Sequence, residues 1–267
     1  MSKAESPISI SQLRVIREHT FQSHAQDRGY PTHRDLGYYE DHLPRFKGKR
    51  LGELLGDRFA QDQDTNMLDI GCGQGLIFAG LVRYPNLHAF GLSSFDYRSD
   101  LTRWNGLDTQ VDYRVGDAQR LATVFPDIRF DVIVSQYTFE YLADPLLALK
   151  QAYRLCNEGG IILLDKFQIL TSQQAGLLKT YWEKHGIKPE LKRWAPDGEK
   201  YDPSRYSLAL QRGGNLRLPL PFKYAEPVVV NTSRIDGSDE TYEVRFSYSF
   251  DEETAWTKLA NPSIPHK

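Results

Sequence analysis

The chain has 267 residues, 40% of them hydrophobic and 25% charged, a globular composition that supports a sizeable core without repeats or low-complexity tracts. A formal net charge of -2 gives no overall electrostatic case for a nucleic-acid or membrane partner. Cys72 and Cys156 are too few for a disulfide framework and have no neighbours at metal-ligand spacing.

Met1 to Ile10 carries polar Ser, Lys and Glu where a signal peptide has an apolar core, and no long apolar span marks a membrane crossing, so the expectation is a cytoplasmic protein. An amphipathic stretch over about 10–26 and a second segment over 38–55 read as helices of an N-terminal cap, residues 1–57. The basic cluster Arg45, Lys47, Lys49 and Arg50 reads first as a solvated face, and otherwise as a docking surface for a macromolecule. Beyond the cap, residues 58–212 alternate short β-rich runs with helical stretches, the pattern of a mostly parallel sheet with covering helices.

The spacing predicts strands over 66–70, 87–92, 111–115, 130–135 and 160–164. Asp144 as N-cap and Pro145 at the first helical position open a helix that stops at Gly159 and Gly160. Thr171 and Gln174, in capping-box spacing, open another that turns Leu178, Tyr181 and Trp182 inward and stops at Gly186. Residues 207–210 form a further strand candidate, and 213–221 read as a linker into a C-terminal extension, residues 213–267. There, 228–230 and the alternating Tyr242, Val244, Phe246, Tyr248 and Phe250 flank a turn at 236–238. The apolar face of this hairpin must be covered by the main sheet, by acting as a small lid, or by a homodimer contact.

The stretch MLDIGCGQG, residues 67–75, ends a strand in Asp69 and turns through Gly71, Gly73 and Gly75, where bare backbone can approach a ligand. The spacing is G-x-G-x-G. A dinucleotide fingerprint needs a glycine at position 76, which is Leu76, and no triphosphate-binding G-x-x-x-x-G-K-[ST] occurs. By itself the loop is compatible with a plain turn. Downstream, VGDAQRL (115–121), FDVIVSQYTFEYL (130–142) and YRLCNEGGIILLD (153–165) follow in order. With them the sequence resembles the class I S-adenosylmethionine-dependent methyltransferases over about 66–165.

The resemblance implies an α/β fold with a Rossmann-like, doubly wound, mostly parallel sheet. It implies S-adenosylmethionine as cofactor, with Asp69, Gly71, Cys72, Gly73 and Gly75 along its methionine part. Asp117 would accept the adenine amino group and Ala118 would offer its backbone at the adenine edge. Ser135 and Gln136 would lie beside the sulfonium, with Tyr137 facing the acceptor. The chain departs from the family at the end of the second strand, where Ser93 replaces the usual ribose-binding acid. Ser93, helped by Asp96 or Arg98, would take that part, or the site is weakened.

Methyl transfer from a sulfonium is an in-line displacement accelerated mainly by positioning and exclusion of water. A general base is needed for a hydroxyl acceptor and less so for a thiol or amine. Candidates are Glu140 and Tyr141 after the fourth strand and His33, Tyr38 and Tyr39 in the cap, beside Tyr137 facing the acceptor; a helix-dipole role competes for Glu140 and packing for Tyr38 and Tyr39, and His33 is a loop histidine with no visible partner. Metal-dependent relatives carry acids after the fourth strand and an Asp-Asn pair after the fifth. This chain has Ser135-Gln136 and Asp165-Lys166, too few oxygen ligands for a hard cation. The expected acceptor is a small molecule. The rivals are an inactive methyltransferase-like partner subunit and an enzyme acting on protein or RNA.

Overall fold

Alternating hydrophobic strands and amphipathic helices assemble into one seven-stranded sheet in the computed structural model. It describes residues 34–94, 96–98, 110–139, 142, 145–168, 172–193, 205–214, 217–220, 222–223, 227–233, 240–246 and 249–250. The strands are β1 (Thr65–Ile70), β2 (Leu87–Ser93), β3 (Val111–Val115), β4 (Phe130–Ser135), β5 (Cys156–Gln168), β6 (Pro189–Arg193) and β7 (Arg205–Gln211). Their order is β3-β2-β1-β4-β5-β7-β6. β1 to β5 run parallel, whereas β7 pairs antiparallel with both β5 and β6. The chain reverses its direction of travel through the sheet between β1 and β4, the place where open α/β sheets form a crevice at the strands' carboxyl ends.

The five strands expected around the glycine loop are all present. The last is longer than expected: β5 begins at Cys156, and Gly159 and Gly160 lie within it instead of ending the preceding helix. That helix stops at Leu155, because Gly159 accepts its backbone geometry (φ +76°) inside the strand and donates its N–H to the Arg212 carbonyl. β6 was not expected. Three of its five residues, PELKR, are charged, as suits a sheet edge, and its pattern carries no period-2 signal.

The cap segment 38–55 is two helices, not one: α1 (Leu36–His42) and α2 (Leu51–Ala60). Pro44 cannot continue α1. The chain then reverses at Lys47 (φ +51°) and Gly48 (φ +81°) between the bridged pair Phe46 and Lys49, a two-residue turn that needs left-handed backbone. Asp35 caps α1 by accepting from the Tyr38 N–H (2.9 Å), and Glu53 caps α2 by accepting from the Arg50 N–H (2.7 Å). The basic cluster is met by acids: Lys49 pairs with Asp57, Arg50 with Asp41, and the Lys47 N–H bonds Glu190. It is a solvated face.

α3 (Leu76–Leu81) follows the glycine loop, α4 (Leu121–Val124) follows β3, α5 (Pro145–Leu155) leads into β5, and α6 (Ser172–Lys184) leads to β6. Leu178, Tyr181 and Trp182 of α6 are buried, and the Trp182 indole donates to the Pro219 carbonyl at 2.8 Å. Gly186 (φ +75°) ends the turn after α6. Asp144 and Thr171, the expected caps, lie outside the described residues, as does the amphipathic stretch 10–26.

By internal contacts the chain divides into residues 31–219, which hold the sheet and α1 to α6, and a second unit of 1–30 with 220–267. The second unit contains the antiparallel hairpin of β9 (Pro227–Ser233) and β10 (Glu240–Phe246), and a short pair of β8 (Phe222–Lys223) and β11 (Ser249–Phe250). The alternating run 242–250 is therefore two strands with different partners. The expected turn at 236–238 lies outside the described residues.

Candidate active site

Asp69 stands one residue from the end of β1 and is fully buried. The Tyr39 hydroxyl of α1 donates to its Oδ2 at 2.6 Å, while Oδ1 has no hydrogen-bond partner. Burial pushes the Asp69 carboxyl up to about 7, against the opposing pull of the Tyr39 hydrogen bond and the Arg34 charge. The Tyr39 phenol rises well above its ordinary value through burial and then the Asp69 charge.

The glycines beside Asp69 differ in what they need. Gly71 (φ +83°) packs under the exit loop of β4: a Cβ there would meet the Thr138 hydroxyl at 1.8 Å. Gly73 (φ +52°) faces open space, with nothing within 4 Å of a Cβ. The Gly71 and Cys72 N–H groups both donate to the Leu92 carbonyl (2.7 and 3.0 Å), which fixes the loop over β2. Cys72 turns its thiol into the core, where a Cβ on Gly91 would meet it at 2.8 Å, and burial raises its pKa. Only its backbone belongs to the loop surface. Gly75 (φ +73°) precedes α3.

At the next strand ends, Ser93 is buried and hydrogen-bonds the Tyr113 hydroxyl. That hydroxyl also donates to the Gly73 carbonyl (3.2 Å) and accepts from the Tyr97 N–H (3.3 Å), tying β2, β3 and the glycine loop together. Tyr113 was not singled out from the sequence, where it is one apolar position in an alternating strand. Asp96 and Arg98 pair with each other at the surface, which holds the Asp96 carboxyl down near 2. Asp117 follows β3, and its Oδ1 accepts from the Gln119 N–H (2.8 Å) and side-chain amide (3.1 Å), with Ala118 buried beside it.

Across the reversal point, the Ser135 hydroxyl donates to the Ile70 carbonyl at 2.7 Å and joins β4 to β1. Gln136 is only 2% exposed, yet neither of its amide atoms has a hydrogen-bond partner. Tyr137 has left-handed backbone (φ +56°). The Lys166 ammonium lies 3.3 Å and the Arg34 guanidinium 4.2 Å from its ring centre, with the His42 ring at 6.4 Å. His42 stacks on Tyr38 (4.0 Å) and bonds the Tyr38 carbonyl through Nδ1 at 2.8 Å. Glu140, Tyr141 and His33 lie outside the described residues. Arg34, His42 and Lys166 escaped notice because only the tertiary fold brings them to Tyr137.

Residues 68–164 match the family model for a methyltransferase domain. Over residues 68–164 the chain is similar to the class I S-adenosylmethionine-dependent methyltransferases. Over 146 residues the chain is 28% identical to the malonyl-[acyl-carrier protein] O-methyltransferase of Erwinia billingiae, covering 54% of this chain and 55% of that one. It is 26% identical to the ubiquinone biosynthesis O-methyltransferase of Maricaulis maris over 68% of this chain and 74% of that one. A 2-methyl-6-phytyl-1,4-hydroquinone methyltransferase of a Synechocystis species is 27% identical over 49% and 40%. The chain thus spans about half the length of the Erwinia relative and less of the Synechocystis one. The plantazolicin methyltransferase BpumL, solved with a triazolic desmethylPZN analogue and SAH, superposes with a TM-score of 0.51 at 15% identity over 76% of this chain and 98% of that one, which shows the shared Rossmann-like fold.

Proposed function

We propose that the chain transfers a methyl group from S-adenosylmethionine to a small-molecule acceptor by in-line displacement, without a metal. The observation that carries this is the open cradle above Gly73 beside a buried carboxylate, Asp69, with one oxygen left without a partner. A ligand with an ammonium group supplies what that oxygen lacks, and glycine backbone lets the ligand lie close. Asp69, Gly71, Gly73, Gly75 and the Cys72 backbone would hold its methionine part; Ser93, supported by Tyr113, the ribose; Asp117 and Ala118 the adenine; Ser135 and Gln136 the sulfonium end. When bound, the cofactor supplies an electrophilic methyl group.

The chain's own part is positioning and exclusion of water. Tyr39 holds Asp69 in place from the cap; with its hydroxyl donated and its pKa raised, it orients and does not take protons. Tyr137 faces the acceptor, and Glu140, in the same exit loop, remains the candidate base. The names of the relatives, which act on malonyl-[acyl-carrier protein] or serve ubiquinone and hydroquinone methylation, support a small acceptor group over nucleic acid. No described helix is long and apolar enough to cross a membrane, and the same reading places the enzyme in the cytoplasm. The β9–β10 hairpin is its proposed homodimer contact.

The test is transfer of radiolabelled methyl from S-adenosylmethionine to a panel of small phenols, carboxylic acids, thiols and amines. Turnover on one class, abolished by Gly73→Val, is expected. Label reaching only added RNA or protein would contradict the small-acceptor assignment.

A further inference from the structure

The exit loop of β4 and the irregularity in β5 concentrate strain and positive charge on one ring. Tyr137 and Lys166 both have left-handed backbone (φ +56° and +47°), a conformation that L side chains with a Cβ adopt at a cost. β5 breaks its register with β7 between Leu164 and Phe167, so Asp165 and Lys166 occupy an irregularity of the strand. Such bulges re-aim side chains and recur next to active sites. Here the effect is to bring the Lys166 ammonium, on a residue only 5% exposed, to 3.3 Å from the Tyr137 ring centre. Arg34, ahead of α1, brings a guanidinium to 4.2 Å from the same ring, and its Nε is buried with no hydrogen-bond partner.

A strand does not need this. A buried position in a bulge is filled at less cost by an apolar side chain, because burying a cation costs desolvation, and two cations at one ring repel each other. Asp165 precedes Lys166 in β5, and Asp69, at the end of β1, feels the Arg34 charge. The Gln136 amide, next in sequence to Tyr137, is buried with its N–H donors unused.

We infer that Arg34 and Lys166, set around Tyr137, bind an oxyanion carried by the methyl acceptor, a carboxylate or a phosphate, so that the enzyme prefers anionic acceptors. This rests on the assignment of the β4 exit loop to the acceptor side. Guanidinium and ammonium groups read an oxyanion by charge-assisted hydrogen bonds, and Arg can do so with two parallel donors. Each cation gains a cation–π contact with the Tyr137 ring.

The probes are benzoate, phenyl phosphate and neutral benzamide, titrated calorimetrically into the full chain with and without S-adenosylhomocysteine. Benzoate or phenyl phosphate binds at millimolar or lower concentration and benzamide does not; the tighter of the two anions distinguishes carboxylate from phosphate. Arg34→Gln and Lys166→Met each weaken the anion by about tenfold; S-adenosylhomocysteine affinity is unchanged in Lys166→Met and, because the Arg34 charge helps keep Asp69 ionised, is read for Arg34→Gln well above the Asp69 titration range, where it too is unchanged. If Lys166→Met fails to fold, Arg34→Gln, at a half-exposed site, decides. Equal binding of benzamide and benzoate, no anion binding at all, or unchanged anion affinity in Arg34→Gln overturns the inference. Loss of S-adenosylhomocysteine binding in the wild-type chain would instead strike the proposed function, and the anion titration without it still reads the cation pair.

Discussion

Asp69 carries the most chemistry of any single residue, since its carboxyl is pushed up to about 7 by burial. An ammonium-bearing ligand favours the ionised form, so binding must release a proton below that value. S-adenosylhomocysteine affinity is therefore expected to fall by roughly tenfold per pH unit below 7 and to level off above it. Titrations in buffers of different ionisation enthalpy measure the proton release; a flat profile between pH 5 and 8, values chosen to bracket roughly the Asp69 range, contradicts it. The stability linkage has the opposite sense. A raised carboxyl binds its proton more tightly folded than unfolded, so Asp69's contribution is greatest below its ordinary value near 4 and is lost as pH rises towards 7. Tyr39→Phe removes the one hydrogen bond to this carboxyl and costs roughly 1–3 kcal/mol, more at pH 8 than at pH 5, by denaturant unfolding. Equal losses at both pH values would show that Asp69 is not the partner that matters. Asp69 and the glycines were legible because chemistry and spacing coincide in one loop. Tyr113, Arg34 and Lys166 were not, because their roles come from contacts between distant segments.

At the level of elements, the glycine loop separates packing from binding. Gly71→Ala places a Cβ against Thr138 at a left-handed position and is expected to destabilise by roughly 3 kcal/mol or more, the combined effect of strain and overpacking. Gly73→Ala meets open space, costs only the backbone strain of roughly 1 kcal/mol, and loses cofactor affinity. Thermal melts and calorimetry on the two variants check this; a Gly73→Ala protein that binds normally removes the cradle from the site. The same scale shows where sequence patterns fail. Strands β1 to β4 were legible from short apolar or β-rich runs separated by helical stretches. The cap break at Pro44 and Lys47–Gly48 was missed because aromatic and charged residues run through it without changing period. The edge strand β6 was missed because its pairing with β7, and not its composition, makes it a strand.

For the whole molecule, the reversal of strand order between β1 and β4 places the loops after β1, β2, β3, β4 and β5 along one end of the sheet. Everything assigned to cofactor or acceptor lies on those loops, at the carboxyl-end residues of those strands, or on α1 and the residues just before it. That arrangement was legible from the order of the motifs alone, whereas the division into two units was not, since the second unit joins the two ends of the chain. Asp117→Ala tests the far end of the site: loss of the adenine contact weakens S-adenosylhomocysteine by roughly 1–3 kcal/mol. Its own cap of the turn after β3 makes a small drop in melting temperature the accompanying result. The measurement that bears most directly on the central claim is calorimetric titration of the full chain with S-adenosylhomocysteine. One-site binding at micromolar concentration, lost in Gly73→Val, is the predicted result; no binding up to millimolar concentration would contradict the cofactor site itself.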